Sequence, residues 1–168
     1  AYRVSGSCQD TNGVVTVRVG ALTTTTPCSS NTFSTSLSVS SLGDGSGIAV
    51  SASQTNGAGT GTDSANTSKD TIAPGVPTFT SPTGGSFLNT ATPTISGTGE
   101  VGATVRVFSG TTEICSAVVS PAGTWSCVSA MQADGTTSLT VRATDPAGNT
   151  GTTSPGRTIT IDTMVPAA

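Results

Sequence analysis

The sequence lacks several residue types on which common protein functions depend. Its 168 residues include no histidine, one tryptophan, one tyrosine and four phenylalanines, and only 9% of them are charged. Without histidine, the usual Ser-His-Asp and Cys-His catalytic pairs cannot form, and Lys69 is the single lysine. The net charge is -3 and the arginines are scattered singly, so no cationic stripe is available for a phosphate backbone. We therefore expect neither an enzyme nor a nucleic-acid-binding protein.

Long apolar runs are also missing. No stretch approaches the 18 apolar residues of a membrane span, and no charged-then-apolar signal peptide opens the chain. We expect the segment to follow an export signal or to be a fragment. Apolar residues instead alternate with Thr, Ser or Arg, as in 15–19, 104–107 and 158–161. A period of two is typical of half-buried strands, which predicts an all-β fold.

An internal repeat organises the chain. The segment 70–74, Asp-Thr-Ile-Ala-Pro, returns 92 positions later as Asp-Thr-Met-Val-Pro at 162–166. A repeat of about 90 residues can close its own core, so each one is a domain rather than a short solenoid unit. We predict one domain over 1–69 and a second over 70–163, with 164–168 beginning the linker to a further repeat.

The second repeat contains seven short alternating runs separated by turn residues. These runs are 78–80, 92–97, 104–108, 114–119, 124–128, 137–143 and 157–161. Seven strands with this spacing predict an immunoglobulin-like sandwich. We expect Trp125 to lie in its core, with Phe33 as the equivalent in the first repeat.

The first repeat begins at its second strand, because nothing before residues 2–7 matches the segment 76–79. The two tandem sandwiches therefore differ, and the first lacks its N-terminal strand. Either the sequence is part of a longer array, which is the simpler explanation, or a strand from another chain fills the gap, as in donor-strand assembly.

Four cysteines fall two to a repeat, with no CxxC spacing. We predict one bridge between Cys8 and Cys28 and another between Cys115 and Cys127. Disulfides form in oxidising compartments, so an extracellular location is expected.

Several motifs of the second repeat occur in an order known from one family. They are Asp-Thr-Ile-Ala-Pro at 70–74, Ile-Ser-Gly-Thr-Gly-Glu-Val-Gly-Ala-Thr-Val at 95–105, Gly-Thr-Trp at 123–125, Ala-Asp-Gly at 133–135, Ala-Thr-Asp-Pro-Ala-Gly-Asn at 143–149 and Ile-Asp-Thr at 161–163. The chain resembles the bacterial Ig-like tandem repeats of large secreted and cell-surface adhesins. The resemblance implies a module repeated many times at the bacterial surface, holding an adhesive tip away from the cell and often stiffened by calcium at domain junctions.

A calcium site can be placed by the topology of such a sandwich. The start of the first strand and two of the loops share one pole, and Asp70, Glu100 and Asp145 map there. Calcium would relieve the repulsion among these carboxylates, and Asn149 and nearby carbonyls would complete its shell. The alternative is that the acidic residues only cap polar turns, with Asp145 accepting hydrogen bonds from its own backbone.

For the other acidic residues we expect little or no metal binding. In the first repeat, Asp10 and Asn56 occupy the corresponding loops, so a site there should be weak or empty. Asp162 would supply the linker calcium ligand for a following domain, which is not in this sequence. Asp44 and Asp134 precede glycine in equivalent turns, and we interpret them as structural.

A GxGxxG pattern at 97–102 is typical of dinucleotide sites only where it opens a helix. Here an alternating run follows, so we read these glycines as a tight loop between strands. Glu100 and Asp145 are the nearest candidates for a catalytic carboxylate pair, but sugar-binding aromatics are scarce.

The sequence favours a structural stalk module whose partners are neighbouring repeats of the same array. Two alternatives stay open: a protomer of an extracellular filament assembled by strand donation between adjacent protomers, and a module that binds a host glycan or protein.

Overall fold

The computed structural model describes residues 1–9 and 13–166, and their regular structure consists of β-strands. Asp10 lies outside the described residues. The chain divides into two compact units, Ala1–Thr71 and Ile72–Ala168. Asp70 and Thr71 belong to the first unit, two residues beyond the predicted end of the first domain. No helix that could span a membrane occurs in the described residues.

The first unit is built from six strands in two sheets. The strands are β1 (Tyr2–Ser7), β2 (Val14–Val19), β3 (Leu22–Pro27), β4 (Thr32–Leu37), β5 (Gly45–Asn56) and β6 (Gly59–Lys69). One sheet pairs β1 with β4, and the other has the order β3-β2-β5-β6. Every pair is antiparallel.

The second unit has eight strands. They are β7 (Thr78–Ser81), β8 (Phe87–Leu88), β9 (Thr94–Thr98), β10 (Thr104–Ser109), β11 (Thr112–Val118), β12 (Thr124–Val128), β13 (Gly135–Thr144) and β14 (Arg157–Ile161). One sheet has the order β11-β10-β13-β14-β8 and the other β12-β9-β7. The pair β14–β8 is parallel and the rest are antiparallel. The predicted fold, two tandem Ig-like sandwiches of which the first lacks its first strand, is confirmed.

All seven predicted strands of the second unit are present, and one was missed. Strand β8 has two residues, Phe87 and Leu88, which pair with Thr160 and Ile161. Two residues are too few to show an alternating pattern, so the sequence gives no periodic signal for this strand.

The core of the second unit is closed around Trp125, as predicted. Its side chain is buried, its Nε1 donates a hydrogen bond to the Thr98 carbonyl at 3.0 Å, and its ring meets the Phe79 ring edge-on at 6.0 Å. Strands from both sheets add fully buried residues, among them Ile95 and Ile159. The polar atom of the indole is therefore satisfied inside an apolar core.

The core of the first unit is smaller. It is formed by Val15, Val17, Val19, Cys28, Phe33, Leu37 and Val50. Phe33 is the buried equivalent of Trp125, but Val4 is only partly buried where its counterpart Ile95 is fully buried. Strand β6 contributes no buried side chain. The core thus remains incomplete on the side where β1 and β6 lie.

Both predicted disulfides are present in the structure. Cys8 is bonded to Cys28 and Cys115 to Cys127, each with a Cα–Cα distance of 6.0 Å. Cys115 lies in β11 and Cys127 in β12, so this bridge joins the two sheets of its unit. Cys8 follows β1 and Cys28 follows β3, so the other bridge also joins two sheets. Each sandwich carries its own covalent tie.

Candidate functional site

The loop after β13 is organised by Asp145. Its Oδ1 accepts a hydrogen bond from the Asn149 backbone amide, and its Oδ2 accepts one from the Asn149 side-chain amide, both at 2.8 Å. The Asp145 amide donates back to the Asn149 carbonyl at 3.0 Å. Gly148 has a φ of 95°, the left-handed region in which glycine carries no Cβ penalty. Asp145 and Asn149, both predicted calcium ligands, are brought together as partners in one loop.

These contacts set the charge state of Asp145. Burial favours the neutral acid, but hydrogen bonds from Asn149, Gly148 and Ala147 outweigh it, so the pKa of Asp145 lies below its ordinary value. A carboxyl group with a lowered pKa is a poor general acid at neutral pH. The loop therefore holds Asp145 as an anion and does not favour it as the general acid of a catalytic carboxylate pair.

Glu100 lies in the loop between β9 and β10, and its side chain is exposed. The Glu100 carbonyl accepts a hydrogen bond from the Ala103 amide at 3.1 Å, and Gly102 has a φ of 82°. A Cβ added to Gly102 would lie 3.8 Å from Pro146 Cγ, so the loops that carry Glu100 and Asp145 are neighbours. The GxGxxG residues thus form a turn between strands, and no helix follows them.

The segment that enters the second unit is packed against the same region. Pro74 is buried, and a Cβ on Gly151 would come within 2.4 Å of the Pro74 carbonyl oxygen. No side chain fits at this distance, so glycine is required where residue 74 crosses the loop. The close approach fixes the start of the second unit against the loop after β13.

The four predicted calcium ligands are divided between the two units. Asp70 belongs to the first unit, whereas Glu100, Asp145 and Asn149 belong to the second. In the described parts of the chain, no group of three or more His, Cys, Asp or Glu side chains is arranged to hold a metal ion. Asp145 directs its oxygens at the amides of its own loop. Calcium binding at these residues stays a prediction.

Asn56 and Asp162, which we expected to be weak or unoccupied calcium ligands, both make local hydrogen bonds. The Asn56 side chain donates a hydrogen bond to Gln9 Oε1 at 2.8 Å and accepts one from the Ala58 amide at 2.9 Å. Asp162 Oδ1 accepts a hydrogen bond from the Met164 amide at 3.2 Å. Both side chains stabilise turns in the manner expected of Asn and Asp.

A second arrangement, missed by sequence reasoning, involves Asp44. Its Oδ2 accepts hydrogen bonds from the Thr71 amide at 3.1 Å and the Thr71 hydroxyl at 2.7 Å, and Lys69 Nζ lies 3.3 Å from its Oδ1. The pKa of Asp44 lies below its ordinary value. The hydrogen bond from the Thr71 hydroxyl lowers it most, followed by the bond from the Thr71 amide and by the charge and hydrogen bond of Lys69. Asp44 therefore fastens the segment that leaves β6.

The same arrangement recurs in the second unit. Asp134 Oδ1 accepts hydrogen bonds from the Thr163 amide at 3.1 Å and the Thr163 hydroxyl at 2.9 Å. We call this pairing the Asp–Thr clamp, Asp44–Thr71 in the first unit and Asp134–Thr163 in the second. The signal was in the sequence, because both the Asp-Gly turn and the Asp-Thr dipeptide are repeated. Each was interpreted alone, and their pairing was not recognised.

The region from β7 to the second clamp corresponds to a known family. A family model described as a bacterial Ig-like domain matches residues 78–163, just over half of the chain. The chain belongs to the bacterial Ig-like domain family. The match runs from the first residue of β7 to Thr163, so both the first strand and the clamp threonine of this bacterial Ig-like domain lie inside the family's boundaries.

Solved structures similar to this bacterial Ig-like chain include modules from several proteins. The fibronectin(III)-like modules of Clostridium thermocellum CbhA are 23% identical, with a TM-score of 0.44, over 53% of this chain and 98% of that chain. The BSP domain of a biofilm associated protein is 19% identical, with a TM-score of 0.43, over 97% and 28%. A putative membrane anchored protein from Corynebacterium diphtheriae is 12% identical, with a TM-score of 0.42, over 98% and 49%. The chain thus spans less than half the length of the last two. No curated protein matches it significantly.

Proposed function

We propose that the chain is a spacer module of an extracellular bacterial surface protein, whose role is to separate a terminal binding region from the cell. The observation that carries this proposal is the Asp–Thr clamp, which occurs at the end of both units. In each unit the clamp fastens the chain just where it leaves the last strand. A module that transmits tension needs its exit segment anchored to the body of the domain.

The disulfides support the same role. Each unit has one bridge between its two sheets. A covalent tie restricts how far the sheets can be pulled apart and is typical of small domains in oxidising compartments. This agrees with a location at the bacterial surface, where an array of such domains would be exposed to shear.

Small-angle scattering of the full chain tests the spacer role. A single compact globule of this length would have a radius of gyration of about 15 Å. A spacer predicts a clearly larger value and an elongated distance distribution at all protein concentrations. A radius of gyration near that of the globule would contradict the proposal.

Calcium binding is a separate component of this proposal. It is supported by the family resemblance and by the acidic residues Asp70, Glu100 and Asp145 rather than by a metal cluster in the described residues. Titration calorimetry with calcium should show saturable binding, and the Glu100→Gln variant should bind less tightly. If no heat is observed and a chelator leaves both the melting temperature and the scattering curve unchanged, the proposed calcium binding is wrong. The spacer role would not be affected by that result.

One observation favours a second candidate function, glycan binding. Phe87 is 79% exposed, and it is the one exposed side chain among the six aromatic residues, all of which lie in the described part of the chain. Exposed aromatic rings are the usual platforms for sugars. Binding on a glycan array that is lost in Phe87→Ala would support this function, whereas an array without signal would exclude it for the glycans tested.

A further inference from the structure

Strand β1 has an open edge in the first unit. Its counterpart in the second unit, β9, is paired with β12 on one side and β7 on the other. Within residues 1–9 and 13–71, β1 is paired with β4 alone. Cys8 donates its amide to Asn31 at 3.0 Å, so by antiparallel alternation the amides of Ser5 and Ser7 point away from β4. These amides form a row of hydrogen-bonding groups along the open edge.

A groove lies beside this edge, between β1 and the strands β5 and β6. Its volume is about 750 Å³. We call it the β1–β6 groove; its apolar lining includes Val4, Phe33, Val50, Ala52 and Ala65. Asp63 is the one charged residue among the described residues that line it. The groove therefore combines free main-chain groups with an apolar floor.

The side chains of β6 are too small to fill the groove. Ala65 pairs with Val50, Asp63 with Ala52 and Gly61 with Gln54, so these three residues of β6 lie on the face that carries the core residue Val50. At the corresponding edge of the second unit, β14 places Ile159 and Ile161 in the core. The floor of the β1–β6 groove therefore lacks the large apolar side chains that β14 supplies in the second unit.

The second unit shows what fits such an edge. Its own residues 78–81 and 87–88 form β7 and β8 and cover the edges of β9 and β14. Phe79 lies opposite Gly97 and packs against Trp125. A Cβ on Gly97 would come within 1.8 Å of the Thr78 carbonyl oxygen, so the missing side chain admits the strand.

The first unit has the same arrangement around Gly6, which lies on the open edge of β1. Gly6 lies opposite Phe33, as Gly97 lies opposite Trp125. Gly6 is exposed, and the three atoms nearest to a Cβ built there all belong to the Phe33 ring, the first at 2.8 Å. A bulky residue opposite Gly6 would cover the Phe33 ring as Phe79 covers Trp125.

We propose that the β1–β6 groove binds an extended, uncharged peptide strand of the kind represented by residues 76–88 of this chain. The strand pairs antiparallel with β1, receives hydrogen bonds from the Ser5 and Ser7 amides, and places a bulky apolar side chain opposite Gly6. This assigns a strand-accepting site to the first unit and does not depend on the spacer role.

The test uses a synthetic peptide that copies residues 74–90, added to the full chain and followed by amide NMR. We expect saturable shifts at Ser5 and Ser7 and slower hydrogen exchange along β1. A peptide carrying Phe79→Asp should bind at least tenfold more weakly. The protein variant Ser5→Pro, which removes an amide from the open edge, should also bind at least tenfold more weakly.

The matched control is Thr23→Pro. Cys28 donates its amide to Gly13, so by the same alternation the Thr23 amide points to the outer edge of β3, away from the groove. This variant should bind the peptide as the parent protein does. Equal loss in both proline variants would show that proline acts on folding rather than on the edge, and would overturn the assignment of Ser5.

A covalent version keeps the test valid if Ser5→Pro fails to fold. Residues 74–90 are fused ahead of Ala1 through a flexible linker, with the Phe79→Asp copy as control. The first unit of the parent fusion should unfold at a higher temperature than that of the control fusion, as followed by the amide NMR signals of β1. Equal melting temperatures, shifts confined to the second unit, or concentration-dependent dimers that protect β1 without peptide would each overturn the proposal; dimers would identify a second copy as the occupant.

Discussion

The Asp134 carboxylate accepts both the amide and the hydroxyl hydrogen bond of Thr163, which is the first residue after Asp162 in the exit segment of the second unit. The pair Asp44–Thr71 repeats this geometry in the first unit. The turn before the longest strand of each unit thus holds the segment that leaves its last strand. The Asp-Thr dipeptide is therefore a structural element of the module, whatever else its aspartate does.

The clamp predicts a specific loss of stability in Thr163→Val. The valine has nearly the same shape but lacks the hydroxyl, so one hydrogen bond to Asp134 is lost while the amide bond remains. We expect the free energy of unfolding of the second unit to fall by about 1 kcal/mol. Urea unfolding followed by Trp125 fluorescence measures it, because this tryptophan lies in the second unit and is the only one in the chain.

Thr153→Val is the control for this measurement. Thr153 is exposed and belongs to the same unit, but no hydrogen bond of its side chain is seen in the described structure. Its replacement should leave the midpoint unchanged. A Thr163→Val midpoint equal to that of Thr153→Val would show that the clamp contributes nothing to stability.

Because the pKa of Asp145 is lowered, we predict that part of the stability of the second unit is lost in acid. Its pKa in the folded unit lies below the ordinary 3.8, so its contribution is complete above that value and disappears as the pH falls through the folded pKa. Asp145→Asn should therefore unfold at lower urea concentration than the parent at pH 7, and this difference should shrink as the pH is lowered below 3.8. Urea titrations at several pH values measure it, and a difference that is independent of pH would contradict the assignment.

The two equivalent glycines predict unequal effects of one substitution. In Gly97→Ala the new Cβ meets the rigid Thr78 carbonyl, so we expect a destabilisation of about 3 kcal/mol in the second unit. In Gly6→Ala the Cβ meets the edge of the Phe33 ring beside an open groove, so the ring can turn aside and the loss should be about 1 kcal/mol or less. Amide NMR signals of residues in the two units report their unfolding separately. Equal losses would mean that the β1 edge is as closed as the β9 edge.

Much of the fold was predictable because its signals are local or repeated. The alternation in residues 15–19 and 104–107 defines strands β2 and β10, and the echo of 70–74 at 162–166 separates the two units. The disulfide partners followed from two cysteines in each repeat. The buried position of Trp125 followed from its place in an alternating run.

The rest depends on contacts between residues far apart in sequence. The Asp44–Thr71 and Asp134–Thr163 pairs join residues 27 and 29 positions apart, and only the register of the strands between them brings them together. Strand β8 forms because β14 offers a free edge, not because two residues have a pattern of their own. The hydrogen bonds from Asn149 to Asp145 fit the turn-capping interpretation, and residue types alone could not show them. Calcium binding at these residues stays a prediction.

Single-molecule force spectroscopy of the chain, pulled from its two ends, tests the central claim that two separately folded, internally tied modules transmit tension in series. We expect two distinct unfolding events. Reduction of the disulfides should lengthen one by about 70 Å and the other by about 40 Å, the extended lengths of the segments that the bridges at separations of 20 and 12 residues protect. A single event, or gradual extension without force peaks, would contradict the account.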